Sequence, residues 1–241
     1  MPATAKHERR QTPLNRRYGP ITRFGELWLL IPPGVFVPRS DAGMLLEAAA
    51  GHVRGRVLDV CTGSGVLALS VQPKAGEVTA IDSSGLAVTV ARANAALNRR
   101  PIEVLHGDLF TPVAGRRFDT IISNPPYLPV AGGLDPRAGT TRAWNGGHDG
   151  RAVIDRICQR APAHLALGGE VLLVQSSLTR VGPTLDLFER SGLRASVVAS
   201  YTGRLGPLAR AQLPHLQNIA VASDDHSSEQ IVVISARRPD S

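Results

Sequence analysis

Residues 57–70 read Val-Leu-Asp-Val-Cys-Thr-Gly-Ser-Gly-Val-Leu-Ala-Leu-Ser, an apolar run, then Gly-x-Gly, then a second apolar run. This order predicts a buried strand, a glycine turn and a helix, the first unit of a doubly wound α/β sheet, where ligands bind outside the carboxyl ends of the strands. Glycine lets the backbone approach a ligand closely. The dinucleotide fingerprint also begins Gly-x-Gly and sometimes accepts alanine at its third position, as at Ala68, so the turn alone does not choose the cofactor.

Polar residues stand at the ends of the next predicted strands. Residues 77–82 form a strand that ends in Asp82, about 20 residues after the glycine turn, a spacing that suits a carboxylate accepting from ribose hydroxyls. Residues 102–105 form another strand and lead to Asp108. Together with Asp59 and Asn124, these residues are expected to surround one nucleoside. Any one acid taken alone is better explained as a solvated helix N-cap, and it is the succession of four such residues that favours a shared site.

Asn124-Pro125-Pro126-Tyr127 follows the predicted strand 118–123. The asparagine oxygen and the Pro125 carbonyl can accept the two N–H bonds of an amino or amide nitrogen, so the motif indicates chemistry on nitrogen. Pro126 stiffens the turn, and Tyr127 is expected to stack on the flat acceptor group. The alternative for the motif is a plain rigid turn, and for Tyr127 a ring packed over the loop.

With these motifs in place, the chain resembles a class I S-adenosylmethionine-dependent methyltransferase of the HemK type, the glutamine methyltransferases that modify peptide-chain release factors. The resemblance covers about residues 35–236. The chain is similar to the short archaeal and eukaryotic branch, which lacks an N-terminal helical recognition domain. Residues 37–42 depart from that branch, because they have fewer acidic and hydroxyl groups near the expected cofactor. The resemblance therefore assigns no binding role to Arg39 or Ala42. The matching segments are residues 35–41, 58–65, 124–127, 143–151 and 171–177, with Asp82 and Asp108.

The resemblance implies S-adenosylmethionine as cofactor and an acceptor glutamine in a protein such as a release factor. No metal is expected, because the seven histidines are scattered without an i, i+4 pair or a Cys-x-x-Cys companion. Eukaryotic members of the short branch work with a small zinc-binding activator subunit, and the sequence leaves open whether this chain has one. The catalytic residues implied are Asn124, Pro125, Pro126 and Tyr127. The cofactor-binding residues implied are Asp41, Asp59, Thr62, Gly63, Gly65, Asp82, Ser83, Asp108, Leu109 and Asn124.

Two other functions remain open at this point. Asn-Pro-Pro-Tyr is shared with RNA and DNA amino methyltransferases, which act on N6 of adenine or N2 of guanine, and the net charge of +7 with pI ≈ 10.4 would attract nucleic acid. All basic residues except Lys6 and Lys74 are arginine, which biased codon usage explains equally well. The third possibility is a non-catalytic module that binds the cofactor.

Length and composition favour one domain in a reducing compartment. The 241 residues suit a single α/β domain. Two cysteines cannot form a four-cysteine zinc site, so free thiols and a cytoplasmic location are expected. No apolar run reaches the ~20 residues that span a bilayer, and the arginine-rich start lacks the apolar core of a secretory signal.

The expected organisation is a basic, disordered arm over residues 1–20 and a single domain over residues 21–241, with its core at 41–236. The domain is predicted to contain a seven-stranded sheet whose last strand is antiparallel. Residues 128–150 are too long for a plain connector and are expected to touch the substrate. Residues 201–228, with Arg204 and Arg210, either frame the substrate entrance or form a mobile surface segment. The remaining predictions are a hairpin over 24–37 centred on residues 32–34, helices over 41–52 (capped by Asp41), 84–98, 149–167 and 179–191, and strands over 170–175, 197–198 and 231–234.

Overall fold

A computed structural model describes residues 21–132, 143–221 and 228–240. The predicted arm at residues 1–20 lies outside the described residues, as does part of each of the two long connections. The strands are β1 Ile21–Phe24, β2 Leu27–Leu30, β3 Arg56–Val60, β4 Glu77–Asp82, β5 Glu103–His106, β6 Phe118–Ser123, β7 Leu165–Ser176, β8 Arg194–Arg204 and β9 Ser228–Arg237. The helices are α1 Ser40–Ala49, α2 Val66–Val71, α3 Gly85–Leu97, α4 Ile154–Arg160, α5 Val181–Arg190, α6 Pro207–Ala211 and α7 Leu213–Asn218.

The central sheet has seven strands in the order β5-β4-β3-β6-β7-β9-β8. Strands β3 to β7 pair in parallel, and β9 runs antiparallel between β7 and β8. The predicted doubly wound sheet with an antiparallel last strand is therefore confirmed. Its central strands are nearly continuous apolar runs because helices cover both faces.

Alternate residues of β3 and β7 bury their side chains in two apolar clusters on opposite faces of the sheet. Val57 and Leu172 pack with α1, α2 and α3, whereas Leu58 and Leu173 pack with α4 and α5. Alternation of side chains along a strand produces this division. The switch of faces between the helices before and after β6 opens a crevice at the carboxyl ends of β3 and β6.

The predicted position of the N-terminal hairpin was wrong. The hairpin is formed by β1 and β2, which turn at Gly25 and Glu26, and not around residues 32–34. Gly25 has a φ of 56°, which a two-residue hairpin loop favours. Pro32 and Pro33 lack the N–H groups that a strand ladder needs.

Two predicted helices also differ from the structure. The helix predicted over 149–167 is confined to α4, and a 3-10 turn at Ala161–His164 leads directly into β7. Pro162 lies in that turn and cannot donate the next helical hydrogen bond. The helix predicted from Asp41 to residue 52 is α1, whose N-cap is Arg39 without a side-chain hydrogen bond, so Asp41 is not its cap.

The other predicted helices and strands are present, but β7 begins earlier than predicted, at Leu165, and β8 extends further, to Arg204. Ser84 caps α3 by accepting from the Ala87 amide at 3.3 Å.

Within the described ranges, no helix is both long and apolar enough to cross a membrane.

Candidate active site

A cavity of about 250 Å³ opens at the carboxyl ends of β3, β4, β5 and β6. Its lining comes from the glycine turn, the start of α3, and Gly34, Val35, Phe36 and Pro38. Its lining includes the predicted residues Thr62, Gly63, Asp82, Ser83, Asp108, Leu109 and Asn124. Of the four residues predicted to surround one nucleoside, Asp82, Asp108 and Asn124 line this cavity.

Asp59 does not line the cavity. Its carboxylate is fully buried and accepts hydrogen bonds from Thr62 Oγ1 at 2.6 Å and from the Ala68 amide at 3.1 Å. Burial raises its pKa to about 7, since a buried charge is poorly solvated. Asp59 therefore holds the glycine turn to α2, and the expectation that it would surround the nucleoside directly was wrong.

Gly65 also lies behind the cavity wall. It is the N-cap of α2 with a φ of 83°, and a Cβ on it would come within 3.2 Å of the Ala91 Cβ. This glycine is needed for the turn and for close packing of α2 on α3. Its contribution to the cavity is therefore indirect.

Asp82 organises the rim of the cavity. One carboxylate oxygen accepts from the Gly63 amide at 2.9 Å and the other from the Ser84 amide at 2.8 Å. Each carboxylate oxygen has more than one acceptor direction, so Asp82 can still accept from a ligand hydroxyl. The neighbouring His106, at the end of β5, contacts the Ser83 carbonyl oxygen.

Cys61 lines the same cavity, and both cysteines are free. Burial, and after it the nearby carboxylate of Asp82, raises the pKa of the Cys61 thiol well above its usual value. The thiol is therefore held in its neutral form.

Arg156 is a cavity residue that the sequence did not predict. It extends from α4 to pair with Asp108, so a cation faces the acidic rim. Nothing in the sequence indicates this contact, because Arg156 is one of many arginines on predicted helices.

The Asn124-Pro125-Pro126-Tyr127 segment begins directly after β6. Asn124 Nδ2 donates to Asp41 Oδ2 at 3.2 Å, and the Tyr127 hydroxyl donates to the same oxygen at 3.0 Å. Among the described residues, neither Asn124 Oδ1 nor the Pro125 carbonyl oxygen accepts a hydrogen bond from the protein. Two acceptors at the start of the motif are thus free for an external N–H donor.

A second cavity of about 190 Å³ lies on the other side of this motif. Asn124, Pro126, Phe36 and Ala143 line both cavities, which therefore meet at the motif. We call the first the strand-end cavity and the second the acceptor cavity. Other residues of the acceptor cavity are Arg39, Asp41, Pro125, Tyr127, Trp144, Tyr201, Arg204 and Glu229.

Asp41 was predicted to bind the cofactor, and the structure places it in the other cavity. Asp41 lines the acceptor cavity and does not line the strand-end cavity. Of the two positions that depart from the resembling family, Arg39 lines the acceptor cavity and Ala42 the strand-end cavity. Arg204 lies in the acceptor cavity and Arg210 on α6, outside both cavities.

Residues 143–150 are hydrogen-bonded to Leu128, which directly follows the motif. The Leu128 amide donates to the Trp144 carbonyl at 3.0 Å, and the Gly146 amide donates to the Leu128 carbonyl at 2.9 Å. Arg151 is buried and donates to the carbonyl oxygens of Thr179 and Arg180. Residues 143–150 thus form a wall that is hydrogen-bonded to the segment after the motif, and Trp144 places part of this wall in the acceptor cavity.

The 175–177 segment contributes to the acceptor cavity indirectly. Ser176 Oγ donates to Glu229 Oε2 at 2.8 Å, while Glu229 Oε1 accepts from the Gly206 amide at 3.2 Å. Glu229 is thereby held against the acceptor cavity. The Gln175 side chain donates to Thr179 Oγ1 at 2.9 Å, which is an internal contact at the end of β7.

The strand-end cavity has features that suit a nucleoside ligand, since the carboxylates of Asp82 and Asp108 lie among its lining residues. Ser64 also lines it, but its Oγ is buried without a hydrogen-bond partner among the described residues and does not open onto the cavity. Gly63 has a φ of 56°, and a Cβ there would meet no atom within 4 Å, so the backbone borders open space. Among the described residues, no group of three or more histidine, cysteine or acidic side chains is arranged to hold a metal ion.

Comparison with known proteins gives consistent matches. The methyltransferase small domain family matches residues 26–133. A protein N5-glutamine methyltransferase of Methanocaldococcus jannaschii is 33% identical over 172 residues, covering 71% of this chain and 87% of the relative. The release factor glutamine methyltransferase of Mycolicibacterium smegmatis is 36% identical over 210 residues, covering 81% of this chain and 73% of the relative.

The fold also matches solved structures. The E. cuniculi Mtq2–Trm112 complex, which is responsible for methylation of the eRF1 termination factor, contains a chain that aligns with a TM-score of 0.59 at 21% identity, covering 85% of this chain and 99% of that chain. An rRNA N2-guanine methyltransferase of T. Thermophilus aligns with a TM-score of 0.60 at 19% identity, covering 90% of this chain and 49% of that chain. At these identities the likeness concerns the fold alone.

Proposed function

Because this chain belongs to the protein-glutamine N-methyltransferases of the HemK type, we propose that it transfers a methyl group from S-adenosylmethionine to the side-chain amide nitrogen of a glutamine in a protein. The observation that carries the proposal is the junction of two cavities at Asn124, where Asn124 Oδ1 and the Pro125 carbonyl oxygen have no hydrogen-bond donor within the described protein.

The strand-end cavity supports S-adenosylmethionine as the methyl donor. When bound, this cofactor supplies an electrophilic methyl group on a positively charged sulfur. Asp82 and Asp108 provide carboxylates at the rim, and Gly63 provides the close backbone approach.

The motif residues act on the acceptor amide. An amide nitrogen is a poor nucleophile, because its lone pair is delocalised into the carbonyl group. Asn124 Oδ1 and the Pro125 carbonyl oxygen accept its two N–H bonds, which orients the nitrogen toward the strand-end cavity and stabilises positive charge as it develops. The proton can leave after transfer, so the step requires no buried general base.

The acceptor cavity can admit a side chain with a flat end group. Phe36, Trp144 and Tyr127 line it, which gives aromatic surface for the planar carboxamide. We propose a peptide-chain release factor as the substrate, supported by the names of relatives that are more than 30% identical to this chain.

The test is transfer of radiolabelled methyl from S-adenosylmethionine to purified release factor and to whole-cell lysate. Treatment of the lysate with nuclease or with protease separates the substrate classes. Label that survives nuclease, is lost to protease and maps to a glutamine supports the proposal. Label lost to nuclease would instead establish an RNA or DNA acceptor.

Asn124→Ala is the matched variant for the chemical step. We expect at least a hundredfold loss of turnover, the cost of removing a group that positions the reacting atoms. Affinity for S-adenosylmethionine, measured by calorimetry, is expected to change less than about threefold, since most of the strand-end cavity is unaltered. Asn218→Ala at the end of α7 is the control, because Asn218 lines neither cavity. Normal turnover by Asn124→Ala would refute the mechanism.

A further inference from the structure

Asp41 joins α1 to two residues of the catalytic motif. It lies in the first turn of α1 and is only 6% exposed. Its Oδ1 accepts from the Ala42 amide at 2.8 Å, and its Oδ2 accepts from Asn124 Nδ2 at 3.2 Å and from the Tyr127 hydroxyl at 3.0 Å. One carboxylate thus receives three hydrogen bonds from three different residues.

The contact determines which way the Asn124 carboxamide faces. A carboxamide has a donor end and an acceptor end of nearly the same shape, so packing alone does not distinguish its two orientations. A carboxylate only accepts, and it repels an amide oxygen placed against it. Asp41 therefore holds the NH₂ end of Asn124, and the oxygen is left for the acceptor cavity.

Tyr127 fixes Asp41 from the other side. Burial, and after it the carboxylates of Asp41 and Glu229, raises the pKa of Tyr127 well above its usual value. The phenol stays protonated and donates to Asp41. Asp41 lies at the N-terminus of α1, where the helix dipole favours a negative charge.

We propose that Asp41 is a positioning residue that selects the acceptor-facing orientation of the Asn124 side chain and so sets the polarity of the nitrogen-binding site. The inference rests on the proposed function, because it gives Asn124 Oδ1 a role in holding the acceptor nitrogen. Asp41 does not contact the strand-end cavity, so its effect is on turnover and not on cofactor binding.

Asp41→Asn tests the inference with little change of shape. An asparagine at this position can present either a donor or an acceptor, so Asn124 can take both orientations. Turnover is expected to fall between about tenfold and a hundredfold, the range for loss of a charge-assisted hydrogen bond at a positioned group. Affinity for S-adenosylmethionine is expected to stay within about twofold.

A double-variant cycle with Asn124→Ala separates positioning from a general structural effect. If Asp41 acts through Asn124, Asp41→Asn causes no further loss of turnover in the Asn124→Ala background. Losses that multiply in the double variant would overturn the inference, as would an equal loss of cofactor affinity. The control is Glu47→Gln, which neutralises an exposed carboxylate on the same helix.

A spectroscopic readout keeps the inference testable if the wild-type protein fails to methylate glutamine, which would refute the proposed function alone. The side-chain NH₂ resonances of Asn124, identified by their loss in Asn124→Ala, are expected to shift in Asp41→Asn and to stay unchanged in Glu47→Gln. Unchanged resonances in Asp41→Asn would show that Asp41 does not hold Asn124, and the inference would be wrong.

Discussion

Gly146→Ala probes the wall behind the catalytic motif. A Cβ on Gly146 would lie 2.6 Å from the Gly150 carbonyl oxygen, 2.8 Å from the Gly150 Cα and 2.8 Å from the Tyr127 carbonyl carbon. All three atoms belong to the backbone, so no side chain can rotate away. The φ of Gly146 lies outside the left-handed region, so alanine meets no backbone strain there and the cost is steric.

The contacts must each lengthen by several tenths of an ångström. Overpacking of this kind costs about 1–3 kcal/mol, and for a chain of this size each kcal/mol lowers Tm by about 2–4 °C. The displaced Tyr127 backbone moves the segment that begins with Asn124. Misplacement by 1 Å can cost about a hundredfold in rate, so a shift of a few tenths is expected to lower turnover roughly threefold to tenfold.

Thermal melts followed by circular dichroism and initial rates of methyl transfer check both parts. Gly51→Ala is the matched control, because a Cβ at Gly51 would meet no atom within 4 Å and Gly51 lies in a turn outside the helices and strands. If Gly146→Ala matches the control in both Tm and turnover, residues 143–150 are not a fixed wall and the reasoning fails.

Two further predictions concern the strand-end acids. Asp82→Ala is expected to weaken S-adenosylmethionine binding at least tenfold, since loss of a hydrogen-bonded charged group costs about 1.5–3 kcal/mol. Titration calorimetry measures the affinity, with Asp186→Ala, a change at an exposed residue on α5, as the control. Equal affinities of the two variants would contradict the prediction. Asp59 has a pKa raised to about 7 from 3.8, so the folded protein retains a proton that the unfolded chain releases, and stability is lost as pH rises through this interval. In urea unfolding, the free energy of unfolding of Asp59→Asn is therefore expected to rise relative to that of the wild type between about pH 4 and 7, by roughly 4 kcal/mol in all. A difference in unfolding free energy that does not vary with pH would show that Asp59 titrates normally.

The sheet and the strand-end cavity were predictable from local sequence. Parallel strands covered on both faces leave long apolar runs, and each run here ends in a polar residue or a glycine turn, as at Gly63, Asp82 and Asp108. Because parallel strands place their carboxyl ends at one edge, order along the chain was enough to bring these residues together.

Two of the unpredicted contacts join distant segments, whereas the errors at Asp59 and at the hairpin are local. Asp41 and Asn124 are 83 residues apart and Arg156 and Asp108 are 48 apart, so neither pair has a sequence signature. Asp59 shares the strand-end position of Asp82, yet it is turned inward to accept from Thr62 and Ala68. Pro32 and Pro33 are turn-forming residues and suggested a hairpin there, but the strands pair across the two-residue loop at Gly25 and Glu26.

The two cavities therefore differ in what determines their chemistry. The strand-end cavity is built from residues whose positions follow from the register of the sheet, so substitutions there are expected to affect cofactor binding first. The acceptor cavity is assembled from α1, the segment after β6, the wall at residues 143–150 and the end of β8, with no common register. A change at Arg204 or Tyr201 alters what the acceptor cavity admits while Asn124 and the strand ends stay in place. Selection of the methyl acceptor can thus change independently of cofactor use, because Asn124 and its immediate neighbours are the main structural link between the two cavities.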